Sequence, residues 1–265
     1  MKPAPFDYCR PESLEEALDA LTRGGDSAKV LAGGQSLVPA LNMRLVRPTL
    51  LVDLNHVPGI DVVSSPNGVL RVGATARQAD PRLSAHPLLA EVLPHVGHFV
   101  TRNRGTIGGS IAHADPAAEL PLALVTAGGT VAAASRSKTR EIPAVDFFLG
   151  PYTTALDSAE IVVETIWPQP REDETYAFEE LAQRGGDYAL AMASARVRGD
   201  ELRVVVGSVV ERPTVLDVDP QHPGESAATQ VEPWESIHGS PAYLKQLVRV
   251  LVDRAVARAR GKGEA

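Results

Sequence analysis

The chain has 265 residues, with 26 basic and 33 acidic side chains, a formal net charge of −7 and one cysteine, Cys9. An acidic chain without blocks of like charge is a poor binder of nucleic acid or anionic membranes, so any phosphate it holds must be met by backbone N–H groups and a few placed arginines. A lone thiol excludes a disulfide framework, a cysteine-built zinc site and an iron–sulfur cluster carried by this chain alone.

The N-terminal stretch MKPAPFDYCRPESLEE has no apolar signal-like core, and no run reaches the length of a membrane span; a cytoplasmic location is expected. PESLEEALDALTRGG predicts a short helix, with Ser13 and Glu16 as a capping box and Gly24-Gly25 as its stop. KVLA (29–32) and TLLVDL (49–54) read as buried strands, with SLVPALNMRL between them as a helix or helical turn limited by Pro39. DVVSSPNGVLRVGA predicts a hairpin turning at Asn67-Gly68, and PLLAEVLPHVGHFV an apolar helix broken at Pro94. DPAAELPLALVTAGG predicts a further helix with Asp115 at its N-cap and Pro116 at its first position. TVAAAS and EIVVETIW are strands, and ALAMASARVRGDELRVVVGSVV reads as two strands joined at Gly199-Asp200. Residues 217–239, rich in Pro, Gly, Ser, Asp and Glu, are expected to form loop. SPAYLKQLVRVLVDRAVARARG closes the chain as its strongest helix, capped by Ser240, with Leu244, Leu247, Val248, Leu251 and Ala255 on one face. Strands and helices mix without a strict βαβ rhythm, which predicts an α+β fold.

Two diglycine turns stand out. VLAGGQSL (30–37) and GTIGGSI (105–111) each place Gly-Gly before hydroxyl or amide side chains at the edge of an apolar run. Glycine lets main-chain N–H groups converge on an anion, and Gln35, Ser36 and Ser110 add side-chain donors. Neither turn is a G-x-G-x-x-G or a P-loop motif. A tight turn would use the same residues, so local chemistry leaves both readings open.

The longer stretches VLAGGQSLVPALNMRLVRPTLLVDLNHV and TRNRGTIGGSIAHADPAAELPLAL resemble the two signature regions of the FAD-binding medium subunits of molybdenum hydroxylases, the carbon monoxide dehydrogenase and xanthine dehydrogenase family. DFFLGPYTTAL, RGGDYALAMASARV and the C-terminal helix look like further landmarks in the same order. The resemblance implies a two-lobed FAD-binding domain of the vanillyl-alcohol-oxidase (PCMH) type, with lobes over 1–55 and 56–173, and a C-terminal antiparallel sheet-and-helix domain over 174–265. It implies that Leu31, Ala32, Gly33, Gly34, Gln35, Ser36 and Leu37, with Thr106, Ile107, Gly108, Gly109 and Ser110, surround the FAD pyrophosphate. Glu119 falls at an acidic position that contacts the adenosine portion in some members, and Asp115 at a position equally explained as a helix cap. Ile161 or Val162 would pack on the flavin, and Tyr188 would cover one of its faces. Where xanthine dehydrogenase types carry a lysine near the flavin, this chain has Glu179.

His95 and His98 lie three apart without a third ligand at metal spacing, so no metal site is expected; Arg102 and Arg104 could neutralise phosphate or stay solvated. No catalytic side-chain set can be defended, which suits an electron-transfer flavin better than a hydrolase. The function expected is that of the FAD subunit in a heterotrimeric complex, with no membrane span and no nucleic-acid partner, whose large subunit carries molybdopterin-bound molybdenum and whose small subunit carries two [2Fe–2S] clusters, in a dimer of heterotrimers. The alternatives are a self-sufficient flavin oxidoreductase of related fold and a non-catalytic scaffold that has lost flavin.

Overall fold

The computed structural model describes residues 2–235, 237 and 239–261. Its first sheet is built from β1 (Asp7–Cys9), β2 (Ala28–Leu31) and β3 (Leu50–Asp53), ordered β1-β3-β2 with both pairings parallel. Parallel neighbours need crossovers, which α1 (Leu14–Gly24) and α2 (Leu37–Asn42) lie along. Ser13 Oγ accepts from the Glu16 N–H at 3.1 Å, while the Glu16 carboxylate accepts from Glu12 rather than from Ser13, a capping box shifted by one residue. Ala17, Leu18, Ala20 and Leu21 face inward. Strand β1 was not expected, because its three residues are mostly exposed and carry no alternation.

The second unit holds β4 (Val63–Ser64), β5 (Val69–Gly73), α3 (Pro87–Val92), α4 (Phe99–Arg102), α5 (Ile107–His113), α6 (Glu119–Ala127), β6 (Thr130–Ala134), β7 (Thr139–Pro143), α7 (Ala144–Phe147), the small hairpin β8 (Phe148–Gly150) with β9 (Thr153–Thr154), and β10 (Ile161–Pro168). Its sheet runs β4-β5-β10-β6-β7, antiparallel throughout. The hairpin between β4 and β5 turns at Asn67, in the left-handed region at φ 52° and ψ 40°. The apolar stretch after residue 86 forms two short helices instead of one, since Pro94 cannot continue the first. Every residue of α6 is buried, as expected of a helix enclosed on all sides. It begins at Glu119 with Ala118 at the N-cap, three residues later than the sequence suggests. Asp115 instead accepts from the Ala117 N–H at 2.9 Å, an Asx turn that uses its carboxylate before the helix begins.

The third sheet, β11 (Glu174–Ala182), β12 (Ala189–Arg198), β13 (Glu201–Gly207) and β14 (Thr214–Leu216), is antiparallel in chain order. Along β12, Ala191, Ala193 and Ala195 join the cluster beneath the final helix, while Met192 joins the core of the second unit. Next come α8 (Pro223–Gln230) and α9 (Pro241–Ala259). Ser240 caps α9 by accepting from the Tyr243 N–H, and Leu244, Val248, Leu251 and Ala255 are buried, with Leu247 partly so. Helix α8 corrects the loop expected over 217–239: PGESAATQ has no apolar period, and contact with α9 forms it. The Gly224 N–H donates to Asp253 Oδ1 at 2.8 Å and Ala227 is fully buried.

Candidate functional site

The two glycine turns meet. A Cβ on Gly33 would fall on the carbonyl oxygen of Arg104 and within 2.8 Å of Gly105 Cα, so only glycine lets the first turn lie against the second. One residue before Gly33, the Ala32 Cβ lies 3.4 Å from the ideal Cβ position of Gly109. Gly108 is pressed on the sheet below, where a Cβ would stand 2.5 Å from Ala74 Cα. Ala74 in turn donates its N–H to Val163 O at 2.9 Å, so β10 lies directly beneath the second turn.

A chain of polar groups ties the turns together. Arg77 donates to Arg104 O at 2.6 Å and to Asn55 Oδ1 at 2.6 Å, and Asn55 Nδ2 donates to Ala32 O at 2.8 Å. Asn55 is itself fixed by Asp53, whose Oδ1 accepts its main-chain N–H at 2.9 Å, and Asp53 accepts from the Tyr8 hydroxyl. Burial of Asp53 works against ionisation, but the bonds from Tyr8 and Asn55 outweigh it and hold the carboxyl below its ordinary value. Burial also lowers the Arg77 pKa, and Arg104 adds to the effect.

The turns differ in the donors they offer. Among the described residues, no backbone carbonyl accepts from the N–H groups of Gly33, Gly34, Gln35 or Ser36. In the second turn Ile107 donates to Ala76 O, Gly108 to Ala74 O and Gly109 to the Oγ1 of its N-cap Thr106. The run of consecutive free main-chain donors therefore belongs to the first turn, and the second contributes close packing and the Ser110 hydroxyl.

One wall comes from the C-terminal unit. Tyr188 is 60% exposed, and burial, Asp115 and Glu119 push its phenol upward, more than nearby Ser36 of the first turn lowers it. Asp115 Oδ2 accepts from the Tyr152 hydroxyl at 3.2 Å, and the His113 ring lies 5.1 Å from that of Tyr152. Glu119 is buried, and its carboxyl is pushed up to about 7, chiefly by burial, with Glu180 and Asp115 adding to the shift. Ile161 and Val162 are 2% and 4% exposed, enclosed in the cores behind this wall. Arg102 is spent on the carbonyls of Val96 and Gly97, while Arg104 meets the site through its main chain. His95 pairs with Glu180 rather than His98, and no group of three or more metal-ligating side chains occurs among the described residues.

Residues 4–170 match the family described as FAD binding domain in molybdopterin dehydrogenase. The chain is 38% identical to the 6-hydroxypseudooxynicotine dehydrogenase complex subunit alpha of Paenarthrobacter nicotinovorans, over 98% of this chain and 96% of that protein. The chain belongs to this FAD-binding family of molybdopterin dehydrogenases. It is also 30% identical to the carbon monoxide dehydrogenase medium chain of Hydrogenophaga pseudoflava, over 97% of each. A solved carbon monoxide dehydrogenase from that organism, lacking the Mo-pyranopterin moiety, superposes with a TM-score of 0.95 at 29% identity over the full length of both chains. Quinoline 2-oxidoreductase from Pseudomonas putida 86 gives 0.91 at 37% identity, again over both full lengths.

The residues fit the family's cofactor. A cradle from which Cβ atoms are excluded, four consecutive unspent N–H groups and adjacent hydroxyls suit a diphosphate in a negatively charged protein. Sequence reasoning missed Tyr8, Asp53, Asn55, Arg77 and Tyr152. Only Asp53-x-Asn55, an Asx turn at a strand end, left a readable signal.

Proposed function

We propose that this chain is the electron-transfer subunit of a molybdenum-containing hydroxylase or dehydrogenase complex, passing electrons from [2Fe–2S] clusters of a small partner subunit through FAD to an external acceptor such as NAD⁺ or a quinone. The meeting of the two glycine turns, with the first turn's N–H groups unspent, is the observation that carries this reading. Bound FAD would supply the redox chemistry, accepting electrons from one side and releasing them on the other. The chain's own residues bind and orient it: Leu31–Leu37 and Thr106–Ser110 hold the diphosphate, Asp115 and Glu119 border the groove, and Tyr188 covers its outer face. Ile161 and Val162 support the groove from behind. A large partner subunit would carry the molybdopterin and act on the organic substrate, and the whole would assemble as a dimer of heterotrimers in the cytoplasm. The names of relatives as a medium chain and a complex subunit support this assignment.

Expression of the chain alone and with its two partners tests the proposal. The chain should bind one FAD and give a flavin absorbance band, and substrate should reduce that flavin only in the presence of both partners. Turnover of an organic substrate by the chain alone, or a colourless chain that refuses FAD, overturns it.

A further inference from the structure

The face of the C-terminal sheet turned away from α9 carries charge that the fold leaves unpaired. Alternation along β12 sends Ala191, Ala193 and Ala195 toward α9, so Ser194 and Arg196 leave by the other face. Arg196 stands directly opposite Tyr176 on β11 and Arg203 on β13, which sets the three side chains in one row across the sheet. Like charges placed directly opposite each other repel, so the Arg196–Arg203 pair costs stability unless an anion joins it.

The chain answers that charge only in part. Glu174 Oε1 comes to 3.7 Å from Arg196 Nε, but it already accepts the Tyr176 hydroxyl at 2.6 Å. Arg196 Nη1 also lies 3.5 Å from the ideal Cβ position of Gly128, at the C-terminal end of α6, where the helix dipole is negative. Arg203 has neither support. Among the described residues it makes no hydrogen bond or ion pair, and its Nε is buried without a partner. Its guanidinium stays charged at physiological pH, although burial and then Arg196 lower its pKa. Glu201 is taken by Arg198 across the turn between β12 and β13, and Asp217 is exposed at the rim.

A buried N–H left unpaired in a native fold calls for a partner from outside the chain. The two arginines line a cavity of about 450 Å³, with Leu202, Val215 and Leu216 as its apolar wall. That is the size of a small-molecule site. Two guanidinium forks match the charge and the several oxygens of a phosphate dianion better than the single charge of a carboxylate.

We propose that Arg196 and Arg203 bind the phosphate of a small phosphate monoester, whose organic body lies on Leu202, Val215 and Leu216. Nine residues of α6, about 13 Å of helix, separate Gly128 from the end nearest Asp115, so this site is distinct from the FAD groove. The proposal goes beyond the electron-transfer reading and does not require it.

Calorimetric titration of the full chain, saturated with FAD so that the groove is filled, should show one site for phenyl phosphate. Inorganic phosphate and benzoate should each bind there more weakly. Arg203→Met should weaken phenyl phosphate roughly 10- to 100-fold, and Arg196→Met by a similar factor, since each removes hydrogen bonds to a charged group. Arg203→Lys keeps the charge and loses the fork; it should also weaken binding, and it serves as the test if Arg203→Met does not fold. Phenyl phosphate should raise the melting temperature of the parent and leave that of the Arg203 variant unmoved. Equal affinity in the parent and the Arg203 variant, benzoate held as tightly as phenyl phosphate, or a parent melting temperature unmoved by phenyl phosphate overturns the proposal. A parent that refuses FAD yet gives the same titration overturns the proposed function and leaves this site standing.

Discussion

Arg77 reaches both glycine turns at once: one of its guanidinium nitrogens donates to Asn55 Oδ1 at 2.6 Å, and Asn55 Nδ2 donates to the carbonyl of Ala32, while the other donates to Arg104 O. Arginine can serve both because its planar fork presents donors in fixed, diverging directions, which the single ammonium of lysine cannot reproduce. Arg77→Lys should therefore keep the charge and lose the tie. Hydrogen bonds to charged groups are worth about 1.5–3 kcal/mol each, so FAD affinity should fall roughly 10- to 100-fold, measured by fluorescence titration of the chain. Unchanged affinity would show that the turns keep their spacing without Arg77.

Why was this clamp invisible in the sequence when the turns it joins were not? Gly33-Gly34 and Gly108-Gly109 announce themselves by composition, and the strands and caps around them follow period and propensity. Arg77 and Asn55 are 22 residues apart and belong to no periodic segment; only the way β3 and the strand-like stretch at 76–78 come together places them in contact. The same limit explains α8 and Asp115. Helix α8 depends on the side of α9 it packs against, and Asp115 had two local options, of which the Asx turn with Ala117 prevailed over a helix cap. By contrast, α9 was legible almost residue for residue, because its cap and its apolar face lie in one local stretch.

Gly33→Ala tests the contact between the turns. Its new Cβ would meet the Arg104 carbonyl and Gly105 Cα, main-chain atoms that cannot swing aside as a side chain would. Overpacking of this kind costs about 1–3 kcal/mol. The variant should lose thermal stability by that order and lose FAD affinity with it. Gly185→Ala is the control, since nothing lies within 4 Å of its ideal Cβ; it should leave both quantities as they are.

Tyr188→Phe removes only the hydroxyl, close to Ser36 of the first turn, and keeps the exposed ring. A neutral hydrogen bond contributes about 0.5–1.5 kcal/mol, so FAD affinity should drop roughly 2- to 10-fold, while flavin fluorescence stays quenched to the same degree if the ring covers the flavin. Tyr188→Ala should raise the fluorescence of bound FAD. Equal fluorescence in the two variants would remove the ring from the flavin face.

The stability of the fold should carry its own pH dependence through His86. This histidine is fully buried between Trp167 and Tyr176, with Nε2 bonded to the Pro168 carbonyl at 3.0 Å and Nδ1 without a partner among the described residues. Burial lowers its pKa below the ordinary imidazole value, more than the Pro168 bond and the Glu174 charge raise it. The sign follows. Below about pH 6.5 the unfolded chain gains a proton on this ring that the folded chain refuses, so stability falls as pH drops, by at most roughly 1.4 kcal/mol per pH unit from this group, until the folded ring also protonates. Above that window the contribution is flat. His86→Phe keeps the aromatic packing and removes the titration; denaturant melts at about pH 7.5 and pH 5.5 should therefore differ less for the variant than for the parent. An equal difference in both would place the acid sensitivity elsewhere and would mean that folding leaves the proton affinity of His86 unchanged.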